Sequence, residues 1–453
     1  MARRVTALLR IVVLCLAAGP AARAQTNDEV ITGTQFDFST PGARSLGLGG
    51  AFLAVADDAT AAFTNPAGLT QLARPEVSLE GRTWGYTSRF TARGHAPETA
   101  LSGIGVDVVD GLESDEIDQR TSGFSFLSAV WTTRRASFAV YRHQLADFRA
   151  AIATQGAFVG PRVAPNRISP ARAELEMEIE NLGLSAAVRL HDTFSLGLGV
   201  SHFAFSLDST TLRYATVERT GDPYVDSLTG HIFGPADFRP GNVASLQEQQ
   251  GDDSDWEWSL GALWRPSAHW SFGAVWRRGP AFDFEATFTD GPANPSPGEV
   301  DPELSGPSRF HVPDAYGLGV AWRPLDAMVV SCDWMRVEYS QMTSELRNVL
   351  RASGSDPTNF SAPDVDELHL GAEYQFLSTR WPVAVRAGLF FDPEHRIRYT
   401  GESDSLRARF RPGEDQTHYA FGAGVVIGRA QIDAAADLSQ SVDTVSLSMV
   451  ARF

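Results

Sequence analysis

The feature that most constrains this chain lies at its end, in residues 417–453. In 417–428, Tyr419, Phe421, Ala423, Val425 and Ile427 fall on one face, and Ala420, Gly422 and Gly424 on the other. In 430–440, Ile432, Ala434, Ala436 and Leu438 oppose Gln431, Asp433, Asp437 and Ser439. In 444–453, Val445, Leu447, Met449, Ala451 and Phe453 share a face, with Ser446, Ser448 and Arg452 mostly on the other. Period-two alternation is the signature of strands. One face is apolar, while the other is charged or tiny. A soluble sandwich alternates too, so this pattern alone fixes the strands but not their surroundings.

Two further features point to a membrane. Aromatic residues gather at strand ends: Trp256, Trp258, Trp264, Trp270, Trp276, Tyr316, Trp322, Trp334 and Trp381. Such girdles are expected where a barrel meets lipid headgroups. The connections are also asymmetric. The pattern reads as fourteen strands over 76–90, 122–132, 136–150, 174–190, 193–211, 255–266, 269–288, 314–324, 327–342, 366–377, 382–400, 417–428, 430–440 and 444–453. Tight turns follow the even-numbered strands, at 133–135, 191–192, 267–268, 325–326, 378–380 and 429. Long segments follow most odd-numbered ones, at 91–121, 151–173, 212–254, 289–313, 343–365 and 401–416. Short turns on one side and long loops on the other mark an outer-membrane barrel. The expected fold is therefore all-β, a closed antiparallel transmembrane β-barrel of about 14 strands over residues 76–453. Alternation slips near Glu180-Asn181, His202-Phe203 and Met335-Arg336, which are read as bulge candidates. In the third strand Phe138 and Val140 begin an apolar face on which Arg142 then falls.

Composition fits this reading. Mean hydropathy is −0.15, and no uninterrupted apolar run after residue 24 approaches helical membrane length. Residues 1–24 have the form of a secretory signal peptide, with Arg3, Arg4 and Arg10, an apolar run over 11–18, and Ala22-Arg23-Ala24 as a cleavage site. Cleavage leaves Cys332 as the sole cysteine, which excludes an internal disulfide and a Cys-type metal site. All 38 basic residues are Arg, and the formal net charge of −17 disfavours nucleic acid as a partner.

Residues 25–75 precede the strands and read as an N-terminal plug, or hatch, inside the lumen. Residues 25–41 are polar, with Phe36 and Phe38 two apart. Residues 42–75 are compact, rich in Gly and Ala, and free of strand alternation. Gly47-Leu48-Gly49-Gly50 lacks the strand, the Lys-Ser/Thr ending and the acid of a nucleotide site, so close backbone packing is the better reading. Asp57-Asp58 suits capping and lumen hydrogen bonds. Asn65-Pro66-Ala67-Gly68 reads as a turn. Asp252 and Asp253, in the long 212–254 loop, and Asp255 just after it form no full Ca²⁺ ligand pattern. No nucleophile-elbow or zinc-protease motif is present. His143, His202, His369 and His418 fall in strands, where lumen or rim roles suit them. No catalytic residue, metal or cofactor is expected.

From Gly42-Ala43-Arg44-Ser45-Leu46-Gly47, through Ala56-Asp57-Asp58-Ala59, to Asn65-Pro66-Ala67-Gly68-Leu69, the chain resembles the hatch of the FadL/TodX family of outer-membrane transporters for hydrophobic compounds. The resemblance implies a fourteen-stranded barrel plugged by the hatch, ligand entry among the outer loops, a pocket near the N-terminus, and a lateral exit at a kinked third strand. It implies ligand-binding roles for Phe36, Phe38 and Phe52, and a hatch-motif role for Asn65, Pro66 and Ala67. The ambiguity over Arg142 to Gln144 falls on the third strand. PorV-like barrels have a similar opening and imply a secretion or assembly partner instead. An outer-membrane lipid-modifying enzyme is the third alternative. The expected function is passive, hatch-gated uptake of long-chain fatty acids or hydrocarbons across an outer membrane. The expected partners are a hydrophobic small molecule, outer-membrane lipid and lipopolysaccharide, with the protein a monomer.

Overall fold

The computed structural model describes residues 40–96, 111–159, 166–215, 238–293, 303–344, 356–403, 406–407, 410 and 412–453. The signal-peptide reading and Phe36 and Phe38 lie outside the described residues. Fourteen antiparallel wall strands follow one another: β1 (Glu76–His95), β2 (Gly111–Thr132), β3 (Ala136–Thr154), β4 (Ala171–His191), β5 (Phe194–Tyr214), β6 (Val243–Trp264), β7 (Trp270–Arg277 and Ala281–Asp290), β8 (Glu303–His311 and Ala315–Leu325), β9 (Met328–Val337), β10 (Val365–Phe376), β11 (Val383–Asp392), β12 (Gln416–Ile427), β13 (Ala430–Leu438) and β14 (Val442–Arg452). Each pairs with the next, and β14 returns to β1 from Glu76↔Arg452 to Tyr86↔Val442, closing the barrel. Closure matters because an unpaired backbone group in lipid costs several kcal/mol.

Several strands are longer than their sequence pattern suggests. β2 begins at Gly111 rather than 122 and β6 at Val243 rather than 255, so Asp252 and Asp253 lie in the wall, opposite Ser206 and Phe205. β9 and β11 are shorter, ending at Val337 and Asp392; Pro393, which has no N–H to offer a ladder, follows β11. Strands β7 and β8 each break once, at 278–280 and 312–314. Pro280 and Pro313 sit in these facing breaks, where Val312 N donates to Pro280 O at 2.9 Å.

One of the three alternation slips coincides with a bulge: opposite Glu180 and Ile179, the β3–β4 register shifts between Gln144 and Ala146. The ladder is regular at His202-Phe203 and Met335-Arg336. What changes there is the polarity of the two faces. In β4, Leu175, Met177 and Ile179 point inward while Glu174 and Glu176 face out; beyond Asn181 the outward residues are Leu182 and Leu184 and the inward ones Gly183 and Ser185. In β5, Leu198 and Val200 face out, whereas Phe203, Phe205 and Leu207 face in. Each strand thus crosses from a lipid-facing lower part with a polar interior to a water-facing upper part with an apolar interior. Aromatic belts flank the lipid-facing band. Near the short turns, Trp264, Phe272, Trp270 and Trp322 stack in sequence. At the inversion level, Trp258 meets Trp276 edge to face and Trp276 stacks on Tyr316.

Residues 42–72 fill the lower lumen. They form helix α1 (Ala43–Gly47), helix α2 (Ala61–Thr64) and a 3-10 turn, Pro66–Gln71. Their backbone lies directly on inward-facing wall glycines. A Cβ at Gly197 would stand 2.3 Å from Ala67 N, at Gly261 2.2 Å from Asn65 Oδ1, at Gly273 2.3 Å from Leu53 O, at Gly371 2.5 Å from Leu48 O and at Gly388 2.2 Å from Gly49 N. Side chains on this face would leave no room for the segment. Gly388→Ala is expected to lower stability by ~1–3 kcal/mol through overpacking, read as a lower midpoint of heat-induced barrel unfolding. Gly306→Ala, where a Cβ meets nothing within 4 Å, should leave the midpoint unchanged.

Candidate functional site

The Asn-Pro-Ala motif anchors the plug. Asn65 is fully buried; its Nδ2 donates to Leu53 O at 2.9 Å and to Ala262 O of β6 at 3.2 Å, and its Oδ1 accepts from Ala67 N at 3.2 Å. Pro66 and Ala67 lie flush on β5 and β6, where pairing is continuous. Phe52 is also fully buried, packed with Leu48, Val55, Ala321 and Val329 and capped by the Arg44 guanidinium 5.5 Å above its ring. It supports the plug and does not line the cavity above it. Asp58 accepts from Thr60 N at 2.9 Å and Thr60 Oγ1 at 2.6 Å, closing the turn before α2.

A buried charge network ties the plug to the wall. Arg44 grips Glu373 of β10 with two bonds of 2.9 and 3.0 Å and also pairs with Asp57. Arg386 of β11 shares Glu373 at 2.5 Å and reaches Asp433 of β13 at 2.8 Å. Asp333 of β9 accepts from Leu53 N at 2.7 Å, and His369 Nδ1 donates to Gly49 O at 2.7 Å. On the short-turn side, a cavity of about 230 Å³ is lined by Arg44, Asp57, Arg386, Asp433 and Arg452.

Above the plug the interior changes character. A cavity of about 130 Å³ is lined by Thr40, Leu53, Phe63, Tyr141, Leu145, Phe203, Trp258, Arg277, Val312, Tyr339 and Phe390, among others. Apolar side chains continue upward from it: Phe205 stacks on Phe282 with centroids 4.7 Å apart, and Phe310 lies 6.1 Å from Phe205. Tyr339 is held by His395, whose ring is stacked 3.8 Å away.

Among the described residues the wall pairing lapses at two places: between β6 and β7, where Asp253 and Asp255 side chains accept from Asp283 N and Ala281 N beside the break at 278–280, and between β2 and β3. Strands β2 and β3 pair only from Phe126↔His143 to Thr132↔Ser137, although β1–β2 pairing runs on to Gly94↔Leu112 and β3–β4 pairing to Thr154↔Ala171. A bulge at Leu145 marks the departure, where the register shifts between Gln144 and Ala146. Beyond it, β3 reaches β1 instead: Gln155 N donates to Ala92 O at 3.0 Å. The resulting seam is bridged by side chains, with Thr121 Oγ1 donating to Asp147 Oδ2 at 2.6 Å and Arg142 Nη1 to Phe124 O at 2.6 Å. A cleft of about 810 Å³ opens there. Between cavity and seam stand four rings. Phe63 lies 4.3 Å from His143 and 6.0 Å from Tyr141, and Phe126 lies 6.1 Å from Tyr141. Sequence reading located the irregular third strand but missed Phe63, Tyr141 and Arg277, because nothing local marks which plug or strand residues face a cavity.

Removing the Asn65 side chain by Asn65→Ala strands two buried carbonyls and one N–H, a loss of ~1–3 kcal/mol; amide exchange over 51–70 should accelerate while the wall stays protected. The upper mouth responds to pH. Burial alone would lower the His395 pKa, but the Asp392 carboxylate 3.2 Å away and the Pro393 carbonyl outweigh it and raise the value to about 9. Its contribution is complete below the unfolded value near 6.5 and is lost as pH rises through about 9. Amide protection at 393–397, measured relative to the intrinsic base-catalysed rate at each pH, should therefore fall between pH 7 and 10, and His395→Gln should abolish that step.

A profile of the family described as outer membrane protein transport protein (OMPP1/FadL/TodX) matches residues 167–446. A search of curated protein sequences finds no match. Among solved structures, a FadL homologue from Pseudomonas aeruginosa superposes with a TM-score of 0.60 at 16% identity, covering 92% of this chain and 99% of that one. The toluene transporter TbuX of Ralstonia pickettii gives 0.55 at 16% identity, with 92% and 100% covered. The toluene transporter TodX of Pseudomonas putida gives 0.55 at 16% identity, with 93% and 100% covered. The barrel with two aromatic belts and the matched profile together establish that this chain belongs to the OMPP1/FadL/TodX family of outer-membrane transport proteins, channels rather than enzymes.

Proposed function

We propose that the protein admits hydrophobic compounds, long-chain fatty acids or hydrocarbons, passively from the outer surface and releases them sideways into the outer membrane. The observation that carries this reading is the polarity inversion of the wall. It supplies an apolar interior only above the plug, and that interior ends at a cavity separated by four rings from the seam between β2 and β3. A hydrophobic solute gains ~25 cal/mol per Å² on leaving water, so a chain of about 400 Å² gains on the order of 10 kcal/mol before costs. Continuing downward would take it through the Arg44–Glu373–Arg386–Asp433 network, where its apolar surface finds no match. Two relatives are named as toluene transporters, which suits the same class of cargo.

In this reading residues 1–24 are removed on export and 25–75 act as the hatch. Thr40 lines the cavity, which supports placing Phe36 and Phe38, just before it, at the ligand. Phe52 and Asn65-Pro66-Ala67 hold the hatch in register. The barrel acts as a monomer among lipopolysaccharide molecules. Locking the seam tests the route. In a Cys332→Ser background, Gly123→Cys and Gln144→Cys joined by a short thiol crosslinker should cut fatty-acid or alkane entry into proteoliposomes at least tenfold. A reducible linker should restore entry on reduction. Unchanged entry with the seam locked would contradict lateral release.

A further inference from the structure

The upper rim of the barrel is uneven. β14 begins at Val442, opposite Tyr86, whereas β1 runs on to His95. On this shoulder lies a cavity of about 250 Å³, separate from the apolar one above the plug. Its lining is mostly polar: Thr87, Ser114, Gln416, Gln440 and Ser441 bring hydroxyls and amides, and Phe90 and Ile168 supply an apolar side. Arg89, Glu414 and Gln440 are exposed, so the cavity meets the surface. The site is held in shape. Gln416 Nε2 donates to Ser441 Oγ at 2.5 Å, and its Oε1 accepts from Ser441 N at 3.1 Å. Glu394 accepts from Arg396 N at 3.1 Å and from Gly413 N at 3.0 Å, which fixes the loop that carries Arg396.

Depth and charge decide what such a cavity suits. Directly below it, Tyr419 pairs with Leu438 in the last rung of β12 and β13, and both face outward with Val445 of β14. These residues end the lipid-facing band, so the cavity stands where lipid head groups begin. Among the described residues its lining holds two arginines, Arg89 and Arg396, against one carboxylate, Glu414. Arg89 is held by Glu116 at 2.5 Å. The Arg396 guanidinium makes no ion pair among the described residues; its Nη2 reaches Ser441 Oγ at 3.5 Å, and its Nε is buried without a hydrogen-bond partner. A guanidinium fork matches phosphate oxygens with paired hydrogen bonds, and amides and hydroxyls match those of a sugar. We infer that this cavity holds the phosphorylated sugar head of an outer-leaflet glycolipid. Arg396 meets the phosphate, the polar rim meets the sugar, and the acyl chains lie down Tyr419, Leu438 and Val445. The inference rests on the reading of a barrel among lipopolysaccharide molecules and gives one of them a defined site.

The test titrates the full barrel in detergent with bisphosphorylated lipid A, and with the same lipid after enzymatic removal of its phosphates, read by native mass spectrometry. The native protein should retain the phosphorylated lipid at least fivefold more tightly. Arg396→Gln should abolish that preference and Arg396→Lys should keep part of it. Arg309→Gln, an exposed β8 arginine paired with Asp283 at 2.6 Å, should leave it unchanged. Heat-modifiable migration checks that each variant is folded. Equal retention of the two lipids by the native protein, or an undiminished preference in Arg396→Gln, would overturn the inference. Glucosamine 1-phosphate has the head without the chains. Displacement of lipid A by an equal concentration of it would assign the cavity to a free sugar phosphate and overturn the glycolipid. Uptake is tested separately by the seam crosslink and stands or falls with that result.

Discussion

The long wall strands of this protein pass through two solvents, and the rest of the structure depends on how their side chains answer both. In lipid, backbone polar groups can be satisfied only by neighbouring strands, so the sheet must close. Within the lipid band the outward face must be apolar, and the inward face is free to be polar. Above that band the outward face meets water, and the apolar residues turn inward. β4 shows the exchange within one strand, from Glu174 and Glu176 outside to Leu182 and Leu184 outside, without a break in its ladder to β5. The outcome is a lumen polar at the bottom and apolar at the top. In the uptake proposed above, that gradient draws a hydrophobic solute inward and stops it at a defined depth.

The plug sits at that depth and depends on what the wall lacks. Inward glycines on β5, β6, β7, β10 and β11 allow backbone to lie on backbone, and polar side chains fix the register. Buried ion pairs are poor sources of net stability, but losing one partner is strongly unfavourable. Glu373, shared by Arg44 and Arg386, therefore makes one plug position much better than any other. The parts of the plug nearest the seam are tied by hydrogen bonds without ion pairs: Ala59 O accepts from Ser128 Oγ, Ala62 O from Ser185 Oγ and Thr64 O from Arg277.

Much of this was legible in the residues. Alternation, strand-end tryptophans and the asymmetry of connections were enough for fourteen strands and a closed barrel. Strand lengths were not legible, because the upper parts of β2 and β6 carry charged outward residues such as Glu116 and Asp252 that read as loop. The slip at His202-Phe203 was attributed to a bulge, whereas its cause is the change of solvent. Near Glu180-Asn181 a bulge is present, but it lies at Leu145 on the partner strand β3, where the sequence shows only a charged residue, Arg142, out of pattern. Phe52 and Phe63 are indistinguishable in a stretch without periodicity; only the tertiary fold sends one to the wall and the other to the cavity. Arg277 stood in an aromatic strand end, where a surface role is the usual one.

The central claim is that cargo stops above the plug and leaves through the wall. Anomalous diffraction from crystals grown with a terminally brominated fatty acid or alkane locates that cargo directly. The account predicts bromine sites in the apolar column about Phe205 and Phe282, in the cavity beside Phe63 and Tyr141, and at the seam by Phe124 and Gln144. Bromine in the lower cavity, among Arg44, Asp57 and Arg452, would mean that cargo passes the plug, and would contradict it.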